Sequence, residues 1–136
     1  MTWAADSMAC EMIASYGKSV GASVYDTCVW VGRFVQAWQQ EHGIPWSLVF
    51  RKDVKMHLCG RTAGVGDSVV NQALKDAYPA TGGGNVPQVG LKANPGPLFG
   101  MKADCWAALG VAATHLNWQT GPGGRPPTPP APPTPP

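Results

Sequence analysis

From Ala9 to Phe50 the chain reads ACEMIASYGKSVGASVYDTCVWVGRFVQAWQQEHGIPWSLVF, and the order of periodicities in this stretch decides the fold class. Ala9 to Ser15 is a short, mostly apolar run interrupted by one carboxylate, Glu11, and followed by the turn residues Gly17 and Gly21; it reads as a buried strand. Ser23-Val24-Tyr25-Asp26 has the S-x-x-D form of a capping box, in which side chains satisfy the free amides at a helix start, so a helix is expected to begin there. Val24, Cys28, Val31, Val35 and Trp38 recur at steps of three and four and form an apolar stripe, which Trp30, Phe34 and Ala37 widen. Gly43 and Pro45 supply the stop, and Trp46 to Phe50 (WSLVF) is a second strand. The expected class is therefore α/β.

Working outward, WSLVF runs directly into the basic segment RKDVKMHLCGR, and Gly60 to Gly66 is a loop. Asp67 to Tyr78 suits a short helix capped by Asp67. Pro79 to Gly100 is rich in glycine and proline and is expected to be a long loop, mobile or in contact with substrate. Helical patterning resumes over Asp104 to Leu116. The last sixteen residues, GPGGRPPTPPAPPTPP, hold nine of the fourteen prolines and can adopt only an extended polyproline conformation. They are expected to be a disordered, solvated tail or a ligand for a proline-binding module. The organisation expected is one domain with one modest core over residues 1–120 and a proline-rich tail over 121–136.

The chain has 136 residues, with ten Lys or Arg against eight Asp or Glu, so its net charge of +2 excludes a histone-like polycation and leaves contact with nucleic acid to charge position. Asp26, Arg33, Glu41 and Asp104 interrupt every apolar stretch before the ~18 residues of a membrane span, so no membrane association is expected. Asp6 and Glu11 stand where a signal peptide has a basic region and an unbroken apolar one. Cys10, Cys28, Cys59 and Cys105 form no C-x-x-C pair and sit among apolar neighbours, as buried reduced thiols do. A cytoplasmic location is expected.

Two of the eight carboxylates stand apart. Glu11 lies inside an apolar strand, where an ionised group costs several kcal/mol unless a partner such as a metal ion compensates it. Asp104 opens the last helix, where alone it reads as a cap favoured by the helix dipole. Facing each other, such carboxylates suit Mg²⁺, a hard ion that takes few protein oxygens plus water and phosphate, and metal-bound water cleaves phosphodiesters. Arg51, Lys52, Lys55 and Arg61, with His57 among them, are candidate phosphate contacts. His115 is eleven residues beyond Asp104, about 16 Å along a helix, and cannot share one ion with it. No hydrolase triad has recognisable spacing, and Gly82 to Gly84 lack the lysine and helix of a phosphate loop.

The blocks ACEMIASYGKSVG, YDTCVWVGRFVQAW, FRKDVKMHLCG and PGPLFGMKADCWAALGVAATHL together resemble, in order and spacing from about Met8 to Leu116, the RuvC-type Holliday-junction resolvases, especially their phage and prophage branch. The resemblance implies an RNase H-like α/β fold, a Mg²⁺-dependent endonuclease in which Mn²⁺ can substitute, branched DNA as substrate and a homodimer. It assigns Glu11 to the strand glutamate among the metal-binding acids, Asp104 to the first acid of the last-helix D-x-x-D pattern, and Lys55 to a DNA-contacting lysine. Arg51, Lys52 and Arg61 would grip backbone phosphates beside it.

The chain departs from the family pattern at three points. Ala107 stands where the second acid of D-x-x-D belongs, and Asp67 lies near the position of a family lysine. The strand with the first catalytic aspartate, and two further strands, belong before Met8, where only seven residues stand. An incomplete sheet is therefore expected, arising from a truncated reading frame or a remnant, together with a weak or inactive nuclease. The alternative expectation is a non-catalytic DNA-binding remnant of the same fold; an interaction protein acting through the proline tail is a third. The aromatics Trp30, Phe34 and Trp38 of the first helix are expected in the core or in a dimer interface.

Overall fold

The computed structural model describes residues 5–14, 17–41 and 46–120, with the backbone alone for 119 and 120. The expected helix stop at Gly43 and Pro45, the end of the first expected strand at Ser15, and the tail all lie outside these residues. The fold is mixed α/β, with four helices and two small sheets among the described residues. The chain forms two compact units where one domain over 1–120 is expected. The first runs up to Phe50 and takes in the chain from His115 onward; the second is Arg51–Thr114.

In the first unit, β1 (Met8–Met12) and β2 (Trp46–Phe50) pair in parallel, in a register running from Met8 opposite Trp46 to Met12 opposite Phe50. Parallel neighbours need a crossover, and α1 (Ala22–Glu41) supplies it, packing against β1. The anticipated stripe is the face that α1 covers: Val31 is buried, Val24, Cys28, Val35 and Trp38 are half-buried, and every other residue of the helix is exposed. The expected widening does not occur, because Trp30 and Phe34 stay about half exposed, their rings 5.9 Å apart and the Arg33 guanidinium 4.3 Å from the Trp30 centroid. The helix also starts one residue early, at Ala22. Ser23 is thus inside it, Asp26 lies beyond the first turn, and the capping-box reading gives way to Val24 N–H donating to Gly21 O at 3.1 Å.

The second unit contains a helix that the sequence reading did not separate from its basic segment. This is α2 (Arg51–Cys59), which begins at the residue after β2. Its C-terminus is closed by Gly60, at φ 71°, whose N–H donates to Met56 O at 3.0 Å, the left-handed ending that glycine adopts without a Cβ clash. Next comes α3 (Asp67–Asp76), and α2 packs on it. Gly66, not Asp67, is the cap residue, with no side-chain cap bond; Asp67 is the first helical residue, where its charge still suits the dipole. The last helix, α4 (Ala103–Thr120), extends the expected span at both ends. Val54, Val70 and Leu74 are fully buried, with Val65, Leu98 and Val111 beside them in burial. Gly110 brings α4 close to the other two helices: a Cβ built there would lie 2.9 Å from Val54 Cγ1, 3.9 Å from Leu74 Cδ1 and 4.0 Å from Leu58 Cδ1.

Pro79 to Gly100, read as a loop, is a tightly bonded structure with a two-residue hairpin, β3 (Gly90–Leu91) against β4 (Asn94–Pro95). Backbone hydrogen bonds join Gly82 N–H to Pro87 O (2.8 Å), Gly83 N–H to Asn94 O (2.9 Å), Gly96 N–H to Val89 O (2.9 Å) and Leu98 N–H to Gln88 O (2.9 Å). Three glycines permit these crossings. A Cβ at Gly82, Gly90 or Gly96 would come within 2.6, 2.4 and 2.3 Å of backbone atoms, so no other residue fits without moving the chain.

All four cysteines are free, but none is buried as expected: Cys105 is exposed on α4, and Cys10, Cys28 and Cys59 are half-buried. Burial, with the Glu11 carboxylate adding to it, pushes the Cys10 thiol above its ordinary pKa, which keeps it protonated and unreactive at neutral pH. No helix among the described residues is long and apolar enough to cross a membrane.

Candidate nucleic-acid interface

The cations of α2 are placed by helical geometry. At 100° per residue, Arg51, Lys55 and Lys52 fall within about 100° of arc, while Val54 and Leu58 occupy the adjoining flank, where Val54 is buried. The apolar pair thus fixes which way the basic flank turns. Lys52 is exposed, and Arg51 and Lys55 are half-buried along their stems, the usual posture of long cationic chains with wet heads. Asp53, on the other side of the helix, is the acid of its first turn. A flank of this kind presents positive charge at spacings that phosphates can meet, with no feature that reads a base.

The expected cations do not act alike. Arg51 donates through a guanidinium nitrogen to the Asp67 carboxylate at the start of α3, sixteen residues away. Asp67 is largely exposed, so the pair contributes only about 0–1 kcal/mol to stability, but it neutralises Arg51 locally. Arg61 lies in the connection between α2 and α3 and is exposed. Its guanidinium donates to Ala63 O at 2.9 Å, which holds it against its own turn. On α2 itself, Lys52 is exposed and Lys55 is half-buried. Sequence reading missed Asp67 as a counter-charge because a helix-start aspartate has a sufficient local explanation as a cap.

The candidate metal ligands differ from expectation in setting. Glu11 is the fourth residue of β1, opposite Val49 of β2, and its side chain is exposed. The desolvation cost that called for a compensating ion does not arise, because Glu11 faces solvent on this strand. Asp104 is exposed in the first turn of α4 and belongs to the second unit, whereas Glu11 belongs to the first. Among the described residues no three acids, histidines or cysteines are grouped as a metal centre would require. Ala107 is half-buried on α4. His115 is buried in the first unit, where its Nε2 and the Ser7 hydroxyl share a hydrogen bond of 2.9 Å, a structural role that sequence reading did not assign.

In comparison with known proteins, no family model, no curated protein and no solved structure matches the chain.

Proposed function

We propose that the chain is a resolvase-like protein that binds branched DNA, with an RNase H-like fold of which β1, α1 and β2 form a parallel βαβ part. The cationic flank of α2 supports this reading: Arg51, Lys55 and Lys52 fall within about 100° of arc beside the buried Val54, a grouping that can meet backbone phosphates. The ordered sequence blocks from Met8 to Leu116 direct it toward Holliday junctions. Glu11 and Asp104 are the proposed Mg²⁺ ligands, with Mn²⁺ substituting, and such an ion would supply activated water for phosphodiester cleavage. These residues fit that ion poorly by themselves. A hard cation is held by ligand charge and number, and the described residues group no third donor with either carboxylate. The chain on its own is therefore proposed to bind junctions and to cut them slowly or not at all. A dimer belongs to the same reading, with the exposed Trp30 and Phe34 flank of α1 as its contact.

Electrophoretic titration of the whole chain with a four-way junction and a linear duplex, with and without Mg²⁺ or Mn²⁺, tests the proposal. Junction binding at least tenfold tighter than duplex binding, weakening steeply with salt, is the expected result. Lys55→Gln should weaken it on every sequence and lower the salt slope by about 0.9. Glu11→Gln should leave binding intact while removing any residual metal-dependent cleavage. Equal affinity for junction and duplex would remove the branched-DNA reading. A second reading, a DNA-binding module without catalysis, is favoured by Ala107, an apolar residue where the resemblance calls for an acid. Junction binding that neither Mg²⁺ nor Mn²⁺ alters, with no cleavage at saturating junction, would select it.

The Arg51–Asp67 pair gives a prediction of opposite sign. Asp67→Asn removes a negative charge and releases the Arg51 guanidinium, so junction affinity should rise several-fold and the salt slope should steepen by about one contact. Unchanged affinity in this variant, measured by the same titration, would place Arg51 outside the interface.

A further inference from the structure

Apart from the α2 cations, the second unit carries a cleft of about 400 Å³ whose lining includes Lys75 near the end of α3, Trp106 on α4, and Gly83, Asn85, Val89 and Leu91 from the glycine-crossed segment. Lys75 Nζ lies 5.5 Å from the centroid of the Trp106 ring, within the range of a cation–π contact. It is the one charged residue among the described lining, so the cleft is positive. Gly82, Gly90 and Gly96 hold the wall in place through backbone crossings that only glycine allows, so that wall is formed before any ligand arrives. Its contents are an aromatic surface, an ammonium, a side-chain amide able to donate and accept, and apolar walls. A flat ring joined to an anion satisfies all four, and the volume lies at the small end of ligand pockets, suited to a single unit of that kind.

We propose that this cleft takes one unstacked nucleotide of a single-stranded DNA segment, its phosphate drawing the Lys75 ammonium off the Trp106 ring so that the base stacks there, with its base edge at Asn85. The choice of a nucleotide among flat anions rests on the DNA-binding reading above; the cleft itself does not. Stacking on an aromatic face tolerates any base, and one cation per phosphate adds affinity without sequence preference, so the site would capture strand ends or unpaired bases rather than a sequence. Asp104 is two residues from Trp106 on α4, about 200° around the helix, which sets this site apart from the candidate metal ligand.

Titrating the full chain with a short oligothymidylate, followed by tryptophan fluorescence, tests the proposal. Binding with quenching is expected. Trp106→Leu should abolish the quenching and weaken binding about five- to a hundredfold. Because Trp106 is half-buried, Lys75→Gln is the second variant. It should keep the wild-type circular dichroism, weaken binding about fivefold and lower the salt slope by about 0.7, with Lys75→Arg restoring both. No binding by the wild-type chain, or wild-type binding by both variants, would overturn the cleft assignment. The two readings fail separately: a junction bound without oligothymidylate binding leaves the α2 interface and removes the cleft, whereas oligothymidylate binding without junction preference leaves the cleft and removes the resolvase reading.

Discussion

Gly90→Ala is expected to lower the stability of the second unit by about 2–5 kcal/mol, combining the cost of a non-glycine residue in the left-handed region with that of overpacking. At φ 75° an alanine is already disfavoured, and its Cβ would lie 2.4 Å from Gly96 N, 2.6 Å from Asn94 O and 2.8 Å from Pro95 C. None of the three atoms belongs to a side chain that can rotate away, so the β3–β4 hairpin must open. Gly100→Ala is the control: its φ is 85°, yet nothing lies within 4 Å of the added carbon, so it should cost only the conformational part, about 1–2 kcal/mol. Urea unfolding of both variants separates the two contributions. Equal losses would mean that the crossing at Gly90 is looser than described, and the preformed wall of the Lys75–Trp106 cleft would go with it.

Leu74→Ala should cost a comparable amount, about 2–5 kcal/mol, through lost transfer energy and the cavity left behind. Leu74 is 1% exposed on α3 and lies near Gly110 of α4, with Val54 of α2 at the same junction. In a unit of this size such a loss corresponds to a fall of roughly 10–30 °C in Tm. Val69→Ala, five residues earlier on the same helix but over a third exposed, should fall well below that. Thermal melts of the two variants check the ranking. Similar shifts would mean that α3 does not turn Leu74 inward as its burial indicates.

Much of the first unit was legible because its signals are local and periodic. The five positions spaced at three and four on α1 are the five that the structure withdraws from solvent. Both strands were found within a few residues of their bounds. α2 was not, because its three cations, Asp53 and His57 leave Val54, Met56, Leu58 and Cys59 as the apolar signal, and spacings of two, two and one do not make a helical period. The hairpin was lost in a glycine-rich segment since its strands are two residues long and its order comes from backbone crossings, which composition reads as looseness. Glu11 was placed correctly on a strand but on the wrong side of it, because a short apolar run does not reveal which face is covered. The Arg51–Asp67 pair and the Lys75–Trp106 contact join residues sixteen and thirty-one positions apart, and no local rule marks either.

The near-contact at Gly110 also bears on how this sequence can drift. Val54 and Gly110 share one volume between α2 and α4, so their histories cannot be independent. A methyl gained on α4 is harmful while valine faces it and becomes tolerable once α2 has given up as much, whereas the reverse exchange alone leaves a hole. Lineages carrying this core would thus be expected to change the two sites together or not at all, a compensating pair whose intermediate steps are the costly ones.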